Sequence, residues 1–220
     1  MRRVIADRLS ESYRNAVHVT VGRDVDAEAL LTVAGAAEDA LGVDVSMLDV
    51  LLAALSATLT EHPEFNGTFE DGVHRLYEEH NIGVAVSVKG GLLVPVLSDT
   101  GSRTLSEVAA ERRRLTKLVQ ANDHSMSDLR GGTFTISNLG PLGSDTFTPI
   151  INPPEVAILG VNRIVERALP AEGTGGMEFR RQLRLDLSFD HRVVDGADSA
   201  RFLGTLDRHL QEIDAMVDAE

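Results

Sequence analysis

Apolar positions recur along this chain with two different periods. In VIADRLSESY, Ile5, Leu9 and Tyr13 stand at helical spacing. In the VHVTVGRDV that follows, Val17, Val19 and Val21 alternate with His18, Thr20 and Gly22, which predicts a helix running into a strand. Three further helices announce their starts. Asp26 can cap one reaching to about Leu41, Ser46 one reaching to about Glu61, and Thr104 with Glu107 forms the capping-box pattern of one reaching to about Ala121. Between the last two lie NIGVAVSV and GLLVPVL, β-branched and bounded by glycines. Pro95 cannot donate to a ladder, so GLLVPVL belongs at an edge or a bulge. GTFTISN, EVAILGVNRIVER and EFRRQLRLDLSF complete the strands, with AEGTGG at 171–176 as a hairpin loop. In the last strand Leu183, Leu185 and Leu187 alternate with Arg184, Asp186 and Ser188. It ends in SFDHRVVDGADSARFL, after which a helix is predicted from about Ala197 to Val217. Helices of this kind pack on a sheet, so the pattern predicts an α/β (α+β) fold. With 220 residues, no linker-like stretch and no repeat, it predicts a single domain over 1–220.

Composition narrows the chemistry. No window approaches the ~20 apolar residues of a membrane span, and MRRVIADRLSES lacks the apolar core of a signal peptide, so a soluble cytoplasmic protein is expected. The net charge of −13 argues against nucleic acid, whose phosphates call for Lys and Arg. Lys89 and Lys117 are the lysines, the other basic residues being arginines. An acidic surface adapted to a saline cytoplasm and a genome that favours arginine codons both give this bias. Cysteine is absent, so any sulfur chemistry must belong to a substrate or cofactor.

The concentrated feature is Asp190, His191 and Asp195 at a strand's end, just before Gly196 and a helix. Three readings compete. Asp195 can simply cap that helix or satisfy turn amides. The three side chains could ligate a metal, but no HxxxH or HExxH partner exists, and His18, His62, His74, His80, His124 and His209 fall in unrelated segments. A histidine held rigidly at a strand end, with a pKa near neutrality, suits a general base.

DHRVVDG resembles the DHRxxDG signature of the acyltransferase (E2) components of 2-oxo acid dehydrogenase complexes. In the same order as in that family, the chain also shows RRVIADRLSESYRNAVHVTVGRDV at 2–25, EHPEFNGTF at 61–69, NIGVAVSVKGGLLVPVL at 81–97 and GGTFTISNLGPLGSDTFTPIINPPEVAILGV at 131–161. The wider superfamily, with chloramphenicol acetyltransferases and peptide-synthetase condensation domains, carries HHxxxDG. Asp190 stands where those have the first histidine, which favours the E2 branch.

The resemblance implies a chloramphenicol acetyltransferase-like mixed sheet flanked by helices. It implies acyl transfer between the thiols of dihydrolipoamide and coenzyme A, in which His191 takes the thiol proton and Ser137 donates to the oxyanion. Ser137 and Asn138 would contact coenzyme A. Asp195 would hold the active-site segment through an ion pair, for which Arg14 is a candidate. The lipoyl group would come from another domain or chain, with no metal required. A homotrimer would bring the His of one subunit to the Ser of its neighbour, and E1 and E3 components would be partners. The chain departs from the family at Val17-His18 and Leu48-Asp49, where Pro-His and Asn-Asp are usual. It is expected to lack lipoyl and peripheral-subunit-binding domains. LQEIDAMVDAE, with Asp214, Asp218 and Glu220 in place of an apolar run, predicts a discrete trimer and not a cage. Two alternatives stay open: a non-catalytic core that assembles partners, and another coenzyme A-dependent acyltransferase of the superfamily.

Overall fold

The structure is a computed structural model that describes residues 2–41, 44–171, 173 and 175–213. Helix α1 (Arg2–Asn15) leads into β1 (His18–Asp26), as the change of period predicts. Next come α2 (Glu28–Leu41), α3 (Met47–Glu61) and a hairpin of β2 (Gly67–Glu70) and β3 (Val73–Leu76). Four short strands follow: β4 (Ile82–Val84), β5 (Val86–Val88), β6 (Gly91–Leu93) and β7 (Val96–Leu97). The chain continues through α4 (Leu105–Ala121), β8 (Phe134–Asn138), the long β9 (Ala157–Pro170) and β10 (Met177–Asp190), and α5 (Gly196–Gln211).

Caps set the helix starts. Asp26 Oδ1 accepts from the Glu28 amide at 2.9 Å, and Ser46 with Asp49 and Thr104 with Glu107 form capping boxes. The helix predicted to run to Val217 is α5; the stretch 214–220, with Asp214, Asp218 and Glu220, lies outside the described residues.

Six strands form one mixed sheet in the order β1-β10-β9-β8-β4-β7, with β8 parallel to both neighbours and the remaining pairs antiparallel. NIGVAVSV and GLLVPVL each divide in two. At Ala85, whose amide donates to Ile136, the chain leaves the sheet, so β4 pairs with β8 and β7 while β5 pairs only with β6. Pro95 falls between β6 and β7, where it accepts from Val84 through its carbonyl and has no amide to leave unpaired; β7 is the sheet edge.

One face of the sheet carries Val19, Val21, Phe134, Ile136, Leu159, Val161, Leu183, Leu185, Leu187 and Phe189 into the core shared with α3 and α5. The opposite face is polar, as the alternation in β10 predicts, but it is not solvated. Asp186, Ser188 and Asp190 are all buried. Ser12 of α1 donates to Ile151 and Arg8 to Pro153, which holds α1 to the coil that precedes β9.

Candidate active site

His191 follows directly on β10, in a turn fixed at both ends. Its amide donates to Val17 at 2.9 Å, and the Asp190 carbonyl accepts from Val193 and Val194. The imidazole is exposed, with the Phe189 ring 5.8 Å away, centroid to centroid. Asp190 does structural work beneath it. Its carboxylate accepts from the Val17 and Arg192 amides and forms a two-pronged pair with the Arg192 guanidinium, at 2.9 and 2.5 Å. Burial pushes the Asp190 carboxyl up, but the Arg192 guanidinium and the amides of Arg192 and Val17 outweigh it and hold it below its ordinary value. A charged Asp190 therefore pins β1, β10 and the turn together. Arg192, which also stacks over Phe69 at 4.8 Å, is the arginine of the DHRxxDG signature, although the sequence alone assigns it no role.

Asp195 takes the capping role that the sequence offers beside an ion pair. Its Oδ1 accepts from the Ala197 and Asp198 amides at 2.7 and 3.0 Å and starts α5, and these bonds lower its carboxyl. Arg14 donates to Ser10 within α1 at 3.1 Å. Four of the six remaining histidines work in separate places: His80 is buried against Ser56 at 2.7 Å, His62 meets Thr205, His209 meets Glu61, and His18 stacks on Tyr13. Among the described residues, no three His, Cys, Asp or Glu side chains gather as metal ligands would.

Ser137 is half-buried near the end of β8, and Asn138 beside it accepts the Gly140 amide at 2.9 Å to open the next turn. The register separates Ser137 from His191. Ser137 pairs with Gly160, and Gly160 with Asp186, so Ser137 stands level with Asp186 on the sheet. His191 lies five positions past Asp186, just beyond the end of β10, about 16 Å at ~3.3 Å per residue, with two strand spacings of ~4.8 Å between them sideways. Within one chain the candidate base and the candidate oxyanion donor cannot share a substrate.

The family profile described as 2-oxoacid dehydrogenases acyltransferase (catalytic domain) matches residues 1–217. The chain belongs to this family. Among curated acyltransferases of the family, it is 35% identical over 208 residues to the lipoamide acyltransferase component of the branched-chain alpha-keto acid dehydrogenase complex of Pseudomonas putida. It is 34% identical over 222 residues to the dihydrolipoyllysine-residue succinyltransferase component of the 2-oxoglutarate dehydrogenase complex of Bartonella vinsonii. These matches cover 92% and 99% of this chain but 49% and 53% of the relatives, so the chain spans about half their length.

A solved structure of Azotobacter vinelandii dihydrolipoamide acetyltransferase superposes with a TM-score of 0.92 at 35% identity, covering 98% of this chain and 90% of that one. That study concerns a serine, a histidine and an asparagine in its catalytic mechanism, and the asparagine follows the histidine by four positions, the interval between His191 and Asp195. The cubic core of a pyruvate dehydrogenase multienzyme complex matches with a TM-score of 0.92 at 35% identity, over 98% of this chain and 90% of that one. Chloramphenicol acetyltransferase, at 16% identity and a TM-score of 0.60 over 93% of this chain and 94% of its own, shares the fold.

Proposed function

We propose that this acyltransferase domain moves an acyl group between the thiols of dihydrolipoamide and coenzyme A. The observation that carries the proposal is His191, an exposed imidazole on a turn that is held by the Val17 carbonyl and by the Asp190–Arg192 pair. His191 takes the proton from the attacking thiol, the thiolate adds to the acyl thioester, and the proton leaves with the departing thiol. Both sulfurs come from substrates, which fits a chain without cysteine. Ser137 donates to the oxyanion of the tetrahedral intermediate. Asn138 uses its Oδ1 for the Gly140 turn, so the Nδ2 donor is the part that would meet coenzyme A. Asp195 keeps the segment after His191 in place by capping α5.

The separation of Ser137 from His191 requires a second copy to complete each site, and a homotrimer with sites between subunits satisfies it with one repeated contact. The likeness to a cubic core supports assembly. A lipoyl domain would deliver the acyl group, with E1 and E3 components as further partners and the cytoplasm as the location. No helix among the described residues is long and apolar enough to cross a membrane.

The relatives act on branched-chain, succinyl and acetyl groups by name at similar identities, so a panel of acyl-coenzyme A donors with free dihydrolipoamide is the informative assay. His191→Ala should lower turnover by ~10²–10⁴ with the fold intact, and Ser137→Ala should lower kcat by ~10²–10³ with little change in KM. Turnover of His191→Ala equal to the parent would remove the reading.

A further inference from the structure

At the level of Ser137 one row of residues crosses the polar face of the sheet: Ser137 on β8, Gly160 on β9, Asp186 on β10 and Gly22 on β1. Residues paired across strands point to the same face, so the Ser137 hydroxyl and the Asp186 carboxylate flank a gap left by the missing side chain of Gly160. The Phe147 ring fills that gap. A Cβ on Gly160 would come within 2.9 Å of it.

Asp186 holds the ring there. It is 2% exposed, and its Oδ2 accepts from the Thr146 hydroxyl at 2.9 Å, the Phe147 amide at 3.2 Å and Asn162 Nδ2 at 2.8 Å. Its Oδ1 accepts from Arg184 Nε at 3.0 Å. The stretch from Leu139 to Phe147, which begins two residues after Ser137, is fastened along its length. Leu139 donates to Val161, Arg163 donates to Ser144, and Asp186 secures the far end.

We propose that Asp186 is a positioning residue for the oxyanion donor. It fixes Thr146 and Phe147 so that the Phe147 ring walls Ser137 on the β9 side and holds the end of β8 in its reactive geometry. This rests on the reading of Ser137 given above. Asp186 makes no contact with the reacting atoms; it acts through Phe147 and the segment that follows Ser137.

The test is steady-state kinetics of the assembled protein, with acetyl-coenzyme A and dihydrolipoamide or the best pair from the panel. Asp186→Val should lower kcat roughly ten- to a hundredfold with KM little changed, as misplacement of a catalytic group does. Asp186→Asn should stay within about threefold of the parent. Its carbonyl can still accept from Thr146, Phe147 and Asn162, while Arg184 turns to Asp24, already 3.5 Å away. Phe147→Ala empties the same slot from the coil side, so it tests the same point should Asp186→Val fail to fold, and it should show the same loss in kcat.

The deciding measurement is the double-variant cycle. Added to Ser137→Ala, both Asp186→Val and Phe147→Ala should cost less than about twofold, because the group they position is gone. Full losses in that background would assign Asp186 to general structure and overturn the proposal. So would parental kcat in Asp186→Val and Phe147→Ala while Ser137→Ala alone is slow. Parental kcat in Ser137→Ala would instead overturn the oxyanion reading itself and this proposal with it.

Discussion

Glu155, just ahead of β9, is fully buried and bonded to neutral groups, Thr135 Oγ1 at 2.5 Å and Asn152 Nδ2 at 2.8 Å. Burial pushes its carboxyl from 4.5 up to about 7, against the pull of those bonds and of Arg8. The folded state thus holds a proton that the unfolded chain has already released, and stability falls as pH rises from about 4.5 to about 7, then levels off. A shift of this size corresponds to about 3 kcal/mol. Glu155→Gln can keep both partners and carries no charge, so its thermal midpoint should exceed the parent's by a margin that widens from pH 4.5 to 7. A margin that does not change with pH would show that Glu155 titrates normally. Neither Glu155 nor Asp190 can be read from the sequence as buried. Alternation in LRLDLSFD marks residues 186, 188 and 190 as a solvated face, whereas the coil before β9, which brings Thr146 and Phe147 onto Asp186, closes over it from positions distant in the chain. The place of His191 at a strand's end was legible because that setting is local, a strand running into a capped helix.

Helix starts were legible for the same reason, since a cap is a contact between residues three apart. Thr104→Ala should cost about 1 kcal/mol in a denaturant midpoint with an unchanged slope. Asp49 goes further than a capping residue. It closes the Ser46 box and also pairs, with no exposed surface, with Arg112 on α4. Arg112→Ala leaves that carboxylate buried without its cation and should cost about 3–5 kcal/mol, several times the loss from Thr104→Ala. Equal losses would mean that the pair contributes no more than a surface bridge. The β2–β3 hairpin carries a local signal of the same kind: Asp71-Gly72, with φ of 52° and 76°, is the turn dipeptide a two-residue hairpin demands. The division of NIGVAVSV was not readable, because β4 and β5 are both short and β-branched and differ in which partner strand each one meets.

Across the whole molecule two charge effects oppose each other. Exposed arginine pairs such as Arg167–Asp24 and Arg180–Asp26 contribute at most ~1 kcal/mol each and weaken in salt, whereas a net charge of −13 repels itself and is relieved by salt. The repulsion dominates, so the thermal midpoint should rise from low to molar KCl; a flat or falling midpoint would trace the acidity to codon bias. Salt should also favour assembly, on which the proposed site would depend. His191 and Ser137 lie far apart in one chain, so the proposed function would draw them from two copies. This can be tested without a structure of the assembly. His191→Ala and Ser137→Ala proteins are each nearly inactive alone, but a site between a Ser137→Ala subunit and a His191→Ala neighbour contains one intact histidine and one intact serine. Random mixing of equal amounts places the intact histidine and the intact serine together in about a quarter of the sites of a cyclic assembly. Co-refolded or co-expressed subunits should therefore recover about a quarter of parental turnover, and subunits mixed without exchange should recover none. Recovery absent from an assembly shown by mass to contain both variants would mean that base and oxyanion donor act within one chain, and the shared site would have to be abandoned.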